Sequence, residues 1–193
     1  MFGYQLRLYL LKFLLSFSVL YYGTRAIIAF SSSQGMFYLY AIDKYFNYIK
    51  LLRWLLLHCA LWLLQLFGYK AYLHDAFTIR LQGGRGVHVV YECIGYGVMI
   101  FWIAFVFANK GNFIKKIKWI AGGLLLIWTI NVVRISLMLV AVNNNWPTLL
   151  NLDNHAWFNI AAYTAILLLI FLFDKFNTGN LVTASPVKKD EQH

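Results

Sequence analysis

Apolar positions along this chain gather into five long runs separated by short polar stretches: Leu8 to Phe30, Leu51 to Phe67, Ile94 to Ala108, Trp119 to Val142 and Ala156 to Phe173. A helix needs about 20 apolar residues to cross the hydrocarbon of a bilayer, so the runs predict about five transmembrane helices, the third being the shortest. The first run is uninterrupted by a small-residue cleavage pattern, and Phe30-Ser31-Ser32-Ser33 is a poor processing site, so it reads as a retained span. Between the second and third runs the pattern changes period. Phe77-Thr78-Ile79-Arg80-Leu81-Gln82 and Val87-His88-Val89-Val90-Tyr91 are rich in β-formers and flank the glycine cluster Gly83-Gly84-Arg85-Gly86. They predict a β-hairpin inside an outer loop over 68–93. Alternation along its second strand would place Val87, Val89, Tyr91 and Cys93 on one face, with His88, Val90 and Glu92 on the other.

The fourth run ends in the polar, turn-prone Asn143-Asn144-Asn145-Trp146-Pro147, and Asp153-Asn154 supply cap-type residues ahead of the fifth. His155 then falls in the first turn of that helix. Residues 176–193 are polar and are expected to form a disordered cytoplasmic tail. With no repeat and no second domain, the expected architecture is all-α: one transmembrane domain over 1–175, a polytopic bundle of about five helices carrying a small extracytoplasmic hairpin.

Composition agrees. Of 193 residues, 61% are hydrophobic, 19% aromatic and only 12% charged, which excludes an ordinary soluble domain. The formal charge of +10 invites a nucleic-acid reading, but the lysines and arginines are spread through the short loops instead of gathered on one soluble face, so no nucleic-acid partner is expected. If the loop with Lys110, Lys115, Lys116 and Lys118 is cytoplasmic, then Lys175, Lys188 and Lys189 join it, as do Arg25, Lys44, Lys50 and Arg53 after the first span. That orientation leaves Arg7, Lys12, Lys70, Arg80 and Arg85 outside, which is awkward for the N-terminus. A partly embedded segment between Gln34 and Tyr48 would restore an inside N-terminus. In both cases 68–93 and 143–155 share the extracytoplasmic side.

Arg134 lies inside the fourth run, where a guanidinium is expensive and marks a site unless it is paired for structure. Asn131 is three residues earlier, on the same helix face. The bland reading is helix-to-helix glue, or an ion pair with Glu92 or Asp153. The functional one is a fixed cation that favours a thiolate and donates to a developing oxyanion. Cys93, between Glu92 and Ile94-Gly95, sits at the water boundary of the third run. A lone Cys there is commonly inert filler, as Cys59 within the second run is taken to be, and a disulfide between the two is not expected. His155 alone reads as a cap or interfacial residue; beside Cys93 it becomes the base of a thiol-based site. His58, His74, His88 and His193 have weaker claims. A metal centre from Cys93, His155 and His88 has neither HExxH nor paired-cysteine spacing behind it, and no metal or cofactor is expected.

At these residues the chain resembles the exosortase and archaeosortase family of polytopic membrane cysteine transpeptidases. The family pattern is a Cys after an outer loop, commonly within Glu-x-Cys-Ser-Gly, an Asn-x-x-Arg in a later span, and a His heading the next. Here these read Glu92-Cys93-Ile94-Gly95, Asn131-Val132-Val133-Arg134 and Asn154-His155, over roughly Leu51 to Phe173. Ile94 replaces the usual Ser, Glu92 adjoins the Cys, and the chain is short, as in a compact bacterial-type branch. The resemblance implies a multi-pass protein of the bacterial cytoplasmic (inner) membrane with an extracytoplasmic site. Its catalytic residues would be Cys93, Arg134 and His155, supported by Asn131, Glu92 and Gly95. Its partners would be the C-terminal transmembrane sorting signals of secreted proteins, membrane lipids, and a partner membrane protein sharing recognition. The competing expectation is a non-catalytic transporter or assembly subunit in which Arg134 is structural or binds an anionic lipid headgroup.

Overall fold

The computed structural model describes residues 2–32, 37–146 and 154–182, with side chains throughout except at 2, 3, 5, 154–158, 161, 162 and 177–182. Five α-helices dominate: α1 (Phe2–Phe30), α2 (Tyr48–Leu66), α3 (Tyr96–Ala108), α4 (Phe113–Asn143) and α5 (Asn154–Val182). Each covers all or nearly all of one apolar run, and α5 continues nine residues past Phe173, so that 176–182, expected as part of a disordered tail, is helical. Leu6–Phe30, Tyr48–Leu66 and Phe113–Asn143 are long and apolar enough to cross a membrane, and α3 is a shorter apolar helix. The chain is thus a mostly helical, multi-pass membrane protein.

Aromatic contacts set the helix directions. Phe13 and Phe17 pack edge-on against Phe101, and Tyr21 stacks on Tyr96 at 6.2 Å, so α1 and α3 are antiparallel. The Trp102 indole N–H donates to the Trp119 carbonyl at 3.1 Å, while Trp119 meets the Phe173 ring edge-on at 5.1 Å; α4 therefore runs against both α3 and α5. Because of this pairing, the N-terminal end of α1 lies beside the basic α3–α4 loop. This places the two at the same end of the bundle, against the first arrangement drawn from the loop charges, which set them on opposite sides. The physical reason is that the connection after α1 turns back on it. The Leu39 N–H donates to the Phe30 carbonyl at 2.8 Å, and Thr24 is hydrogen-bonded to Tyr48 at the start of α2. A π-helical turn, Ile42–Phe46, precedes that start. Lys50, hydrogen-bonded to Asp43 at 2.6 Å, holds the Asp43 carboxyl below the usual carboxylate range, and Asn47 caps α2 by accepting from the Lys50 N–H.

The outer loop holds a sheet of three strands, β1 (Ala71–Leu73), β2 (Thr78–Leu81) and β3 (Gly86–His88), antiparallel in that order, not a two-stranded hairpin. The added strand pairs Ala71 with Leu81 and Leu73 with Ile79. It is too short for a period-two signal, and it satisfies backbone groups that a lone hairpin would leave to water. The sheet lies along α2, whose face Ile49, Leu56, Leu57, Ala60 and Leu64 is buried with Ile79, Val87 and Val89 in one apolar cluster. Its far turn is held to the end of α4: the Asn143 carboxamide accepts from the Arg85 N–H at 2.7 Å and donates to the Arg85 carbonyl at 3.1 Å. The strand does not persist to Cys93. Residues Tyr91–Ile94 form a 3-10 turn, which removes the alternation expected there.

Gly123 on α4 faces the fully buried Trp102, and a Cβ there would land inside the indole, whereas Gly122 faces open space. Gly123→Ala should therefore cost about 1–3 kcal/mol of stability from overpacking. Gly122→Ala should gain about 0.5–1 kcal/mol by removing backbone freedom from a helix interior. Thermal unfolding in detergent checks both, with the two variants moving in opposite directions from the wild type.

Candidate active site

The 3-10 turn delivers Cys93 to the head of α3. It ends at Gly95, whose φ of 79° is a left-handed conformation that glycine adopts without a Cβ penalty. Cys93 is 4% exposed and packs in the apolar cluster with α2 and the sheet. The turn is tied to α4 by one side chain. The buried Asn131 carboxamide donates to the Cys93 carbonyl at 3.0 Å and to the Ile94 carbonyl at 2.8 Å, while its oxygen accepts from the Arg134 Nη1 at 3.4 Å. Asn131 and Arg134 are three residues apart, so one helix face presents both, as the spacing predicts. A Cβ on Gly95 would sit 3.3 Å from the Asn131 Nδ2, so the glycine also makes room for the tie.

Around this joint lies a cavity of about 140 Å³, with Glu92 and Gly95 on one wall, Asn131 and Arg134 on another, and Asn159 and Tyr163 of α5 on the third. It continues into a larger opening of about 930 Å³ between α1, α3 and α5, whose walls include Phe17, Tyr21, Phe101, Leu167 and Ile170. Glu92, Gly95 and Tyr163 line both spaces. The arrangement can hold a polar group against the Arg134 fork, with an apolar segment lying in the side opening.

Of the residues singled out from the sequence, Glu92, Gly95, Asn131 and Arg134 line this cavity, while Cys93 is joined to it through its backbone carbonyl and its side chain lies in the apolar cluster. His155 is in the first turn of α5, but its side chain lies outside the described residues, as does all of Asp153. His88 is elsewhere: it is hydrogen-bonded to Thr78 at 3.0 Å and stacks on Phe77, within the sheet. His58 packs on Trp54 with ring centroids 4.0 Å apart, and Cys59 is half-buried in α2; neither Cys59 nor Cys93 is in a disulfide.

Sequence reasoning missed Asn159 and Tyr163. They follow His155 by four and eight residues, so a polar stripe at helical spacing on an otherwise apolar helix was the available signal. It also missed Arg53, assigned to a cytoplasmic loop. Arg53 is in fact buried on α2, its guanidinium 3.8 Å from the centroid of the Phe77 ring and 5.3 Å from that of Tyr91.

Residues 4–172 match the model of a protein family described as transmembrane exosortase, so the chain belongs to that family, one of membrane cysteine transpeptidases. No curated protein and no solved structure matches the chain.

Replacing Asn131 by Ala would leave two buried carbonyls without their donor, each worth about 1–3 kcal/mol when unsatisfied. The expected outcome is a melting temperature several degrees lower. Asn131→Asp, which retains the acceptor for Arg134 but loses the donor, should be destabilised as well. Equal melting of all three proteins in detergent would refute the bridge.

Proposed function

We propose that this exosortase-family protein is a membrane-embedded cysteine peptidase and transpeptidase that cleaves the C-terminal sorting signal of secreted proteins, with Cys93 as nucleophile, His155 as proton carrier and Arg134 as the oxyanion-stabilising cation. The observation that carries this reading is the Asn131 bridge, which joins the backbone of Cys93 to the intramembrane Arg134 through one buried carboxamide. An intramembrane guanidinium tied through Asn131 to the turn that carries Cys93 suits an acyl-transfer site. His155 is one helical turn before Asn159, whose side chain lines the cavity, which supports its assignment to the same site.

The chemistry is an acyl transfer. The Cys93 thiol proton passes to His155 while the sulfur attacks the scissile carbonyl carbon, and Arg134 donates to the oxygen as it gains charge. Collapse of the tetrahedral species breaks the C–N bond, His155 returns the proton to the leaving amine, and a thioester remains on Cys93. An acceptor amine then attacks the thioester to give a new amide and restore the thiol; water in the same position gives an acid. Because Cys93 is buried among apolar side chains, the substrate has to draw the thiol out of the cluster as it enters, which keeps the free enzyme from idle hydrolysis.

The side opening suits the transmembrane part of the signal: a helix lying along α1 and α5 would bring its motif to Gly95, where the backbone can approach closely. In this reading α1, α3, α4 and α5 cross the bacterial inner membrane, the α3–α4 loop and Arg7 and Lys12 face the cytoplasm, and α2, which starts beside the far end of α1, lies on the outer side with the sheet.

Cys93→Ala, Arg134→Ala and His155→Ala should each lower processing of a co-expressed signal-bearing substrate by about 100-fold or more. A thioester adduct at Cys93, detected by mass spectrometry, should accumulate when the acceptor amine is withheld. Unchanged processing by the three variants would end the enzyme reading.

A further inference from the structure

Arg53 is a buried charge that the chemistry above does not use. It is 4% exposed, its Nη1 has no hydrogen-bond partner among the described residues, and its contacts are the two aromatic faces of Phe77 and Tyr91. An arginine that buries an Nη1 without an acceptor is a poor way to fill a core: removing it from water is costly, and an apolar side chain of similar volume is often as stable or more so. Stability alone therefore does not account for it. Its location does. Phe77 leads into β2, and its carbonyl accepts from the Val89 N–H at 2.7 Å, which closes the sheet just before the turn. Tyr91 is the first residue of the 3-10 turn that carries Cys93. A planar cation lodged against two rings is attracted to both faces at once and fixes their separation.

We propose that Arg53 is a positioning residue, a cation–π clamp between Phe77 and Tyr91 that holds the Cys93 turn from the α2 side, opposite the Asn131 bridge on α4. The role rests on the reading of Cys93 as the nucleophile. The turn is then gripped on two sides by different forces: hydrogen bonds to its carbonyls from α4, and ring faces against a cation from α2. Loss of the clamp leaves the bundle intact but lets the turn shift, and a misplacement of about 1 Å can cost as much as 100-fold in rate.

Arg53→Met, which keeps the volume and removes the cation, should melt no lower than the wild type, while kcat for substrate processing falls about 10-fold or more and KM changes by less than about 3-fold. Arg53→Lys, still a cation but without the planar fork, should recover part of kcat. In a double-mutant cycle with Tyr91→Leu, the combined loss should be smaller than the product of the single losses, because both variants open the same contact. Wild-type kcat in Arg53→Met, or losses that simply multiply, would overturn the clamp. A substrate-free measurement separates this from the reading of the site. In a Cys59→Ala background, maleimide labelling of Cys93 in the full-length protein should speed up several-fold on Arg53→Met, and an unchanged rate overturns the clamp. If Cys93→Ala leaves processing intact, the nucleophile assignment falls, and labelling alone then decides whether Arg53 holds the turn. Should Arg53→Met fail to accumulate, Tyr91→Leu and Arg53→Lys carry the same labelling comparison.

Discussion

One carboxamide ties the Cys93 turn to α4. The sheet and α2 share one apolar cluster with the head of α3 and the later part of α4, and other parts of α3 and α4 pack with α5 in a second. The turn that carries Cys93 passes from the first to the second. A 3-10 turn between two elements leaves backbone carbonyls without ladder partners, and buried carbonyls must be satisfied. Asn131 does this for Cys93 and Ile94 together, and its remaining acceptor receives a proton of Arg134. Any movement of α4 is thus felt by the turn. The left-handed Gly95 is a consequence of the same constraint, since only a residue without a Cβ turns the chain into α3 and still leaves the carboxamide its place.

Two arginines inside the fold illustrate how a low dielectric is used in different ways. Arg134 keeps its fork at a cavity, near polar groups from three elements, where charge can be offered to a bound oxygen. Arg53 is held against ring faces under the sheet, where its charge is spent on geometry. Both are expensive in an apolar setting, and the expense is tolerated where the arrangement of the Cys93 turn depends on it. The cavity shares Glu92, Gly95 and Tyr163 with the opening between α1, α3 and α5, which gives the polar centre an approach between the helices.

The helices were legible in the chain because apolar runs of this length have few other fates. The pair Asn131 and Arg134 was legible because helical spacing alone puts both on one face. The turn, the third strand and Arg53 were not. Tyr91 to Ile94 continues a strand-like pattern, yet Gly95 and the demand of α3 for a start wind it into a 3-10 turn. Ala71–Leu73 is three residues long and pairs only because β2 is already there. Arg53 reads as a loop charge until the sheet folds down over α2 and places two rings on it. Orientation was ambiguous for a related reason: charge counting treats every loop as a crossing, and the connection between α1 and α2 doubles back.

What the amino-acid sequence determined by itself was therefore local and periodic: five apolar helices, a β-rich outer loop, a cysteine at a helix head, and an asparagine and an arginine stacked on one face. Tertiary structure decided how far apart these lie and what they touch. It brought residues 38 apart, Asn131 and Cys93, into one hydrogen bond, added Asn159 and Tyr163 to the cavity that Asn131 and Arg134 line, and buried a second arginine against the Cys93 turn. The reason is physical: periodicity assigns a side chain to a face, but only the packing of faces against one another determines which polar groups must satisfy each other once water is gone.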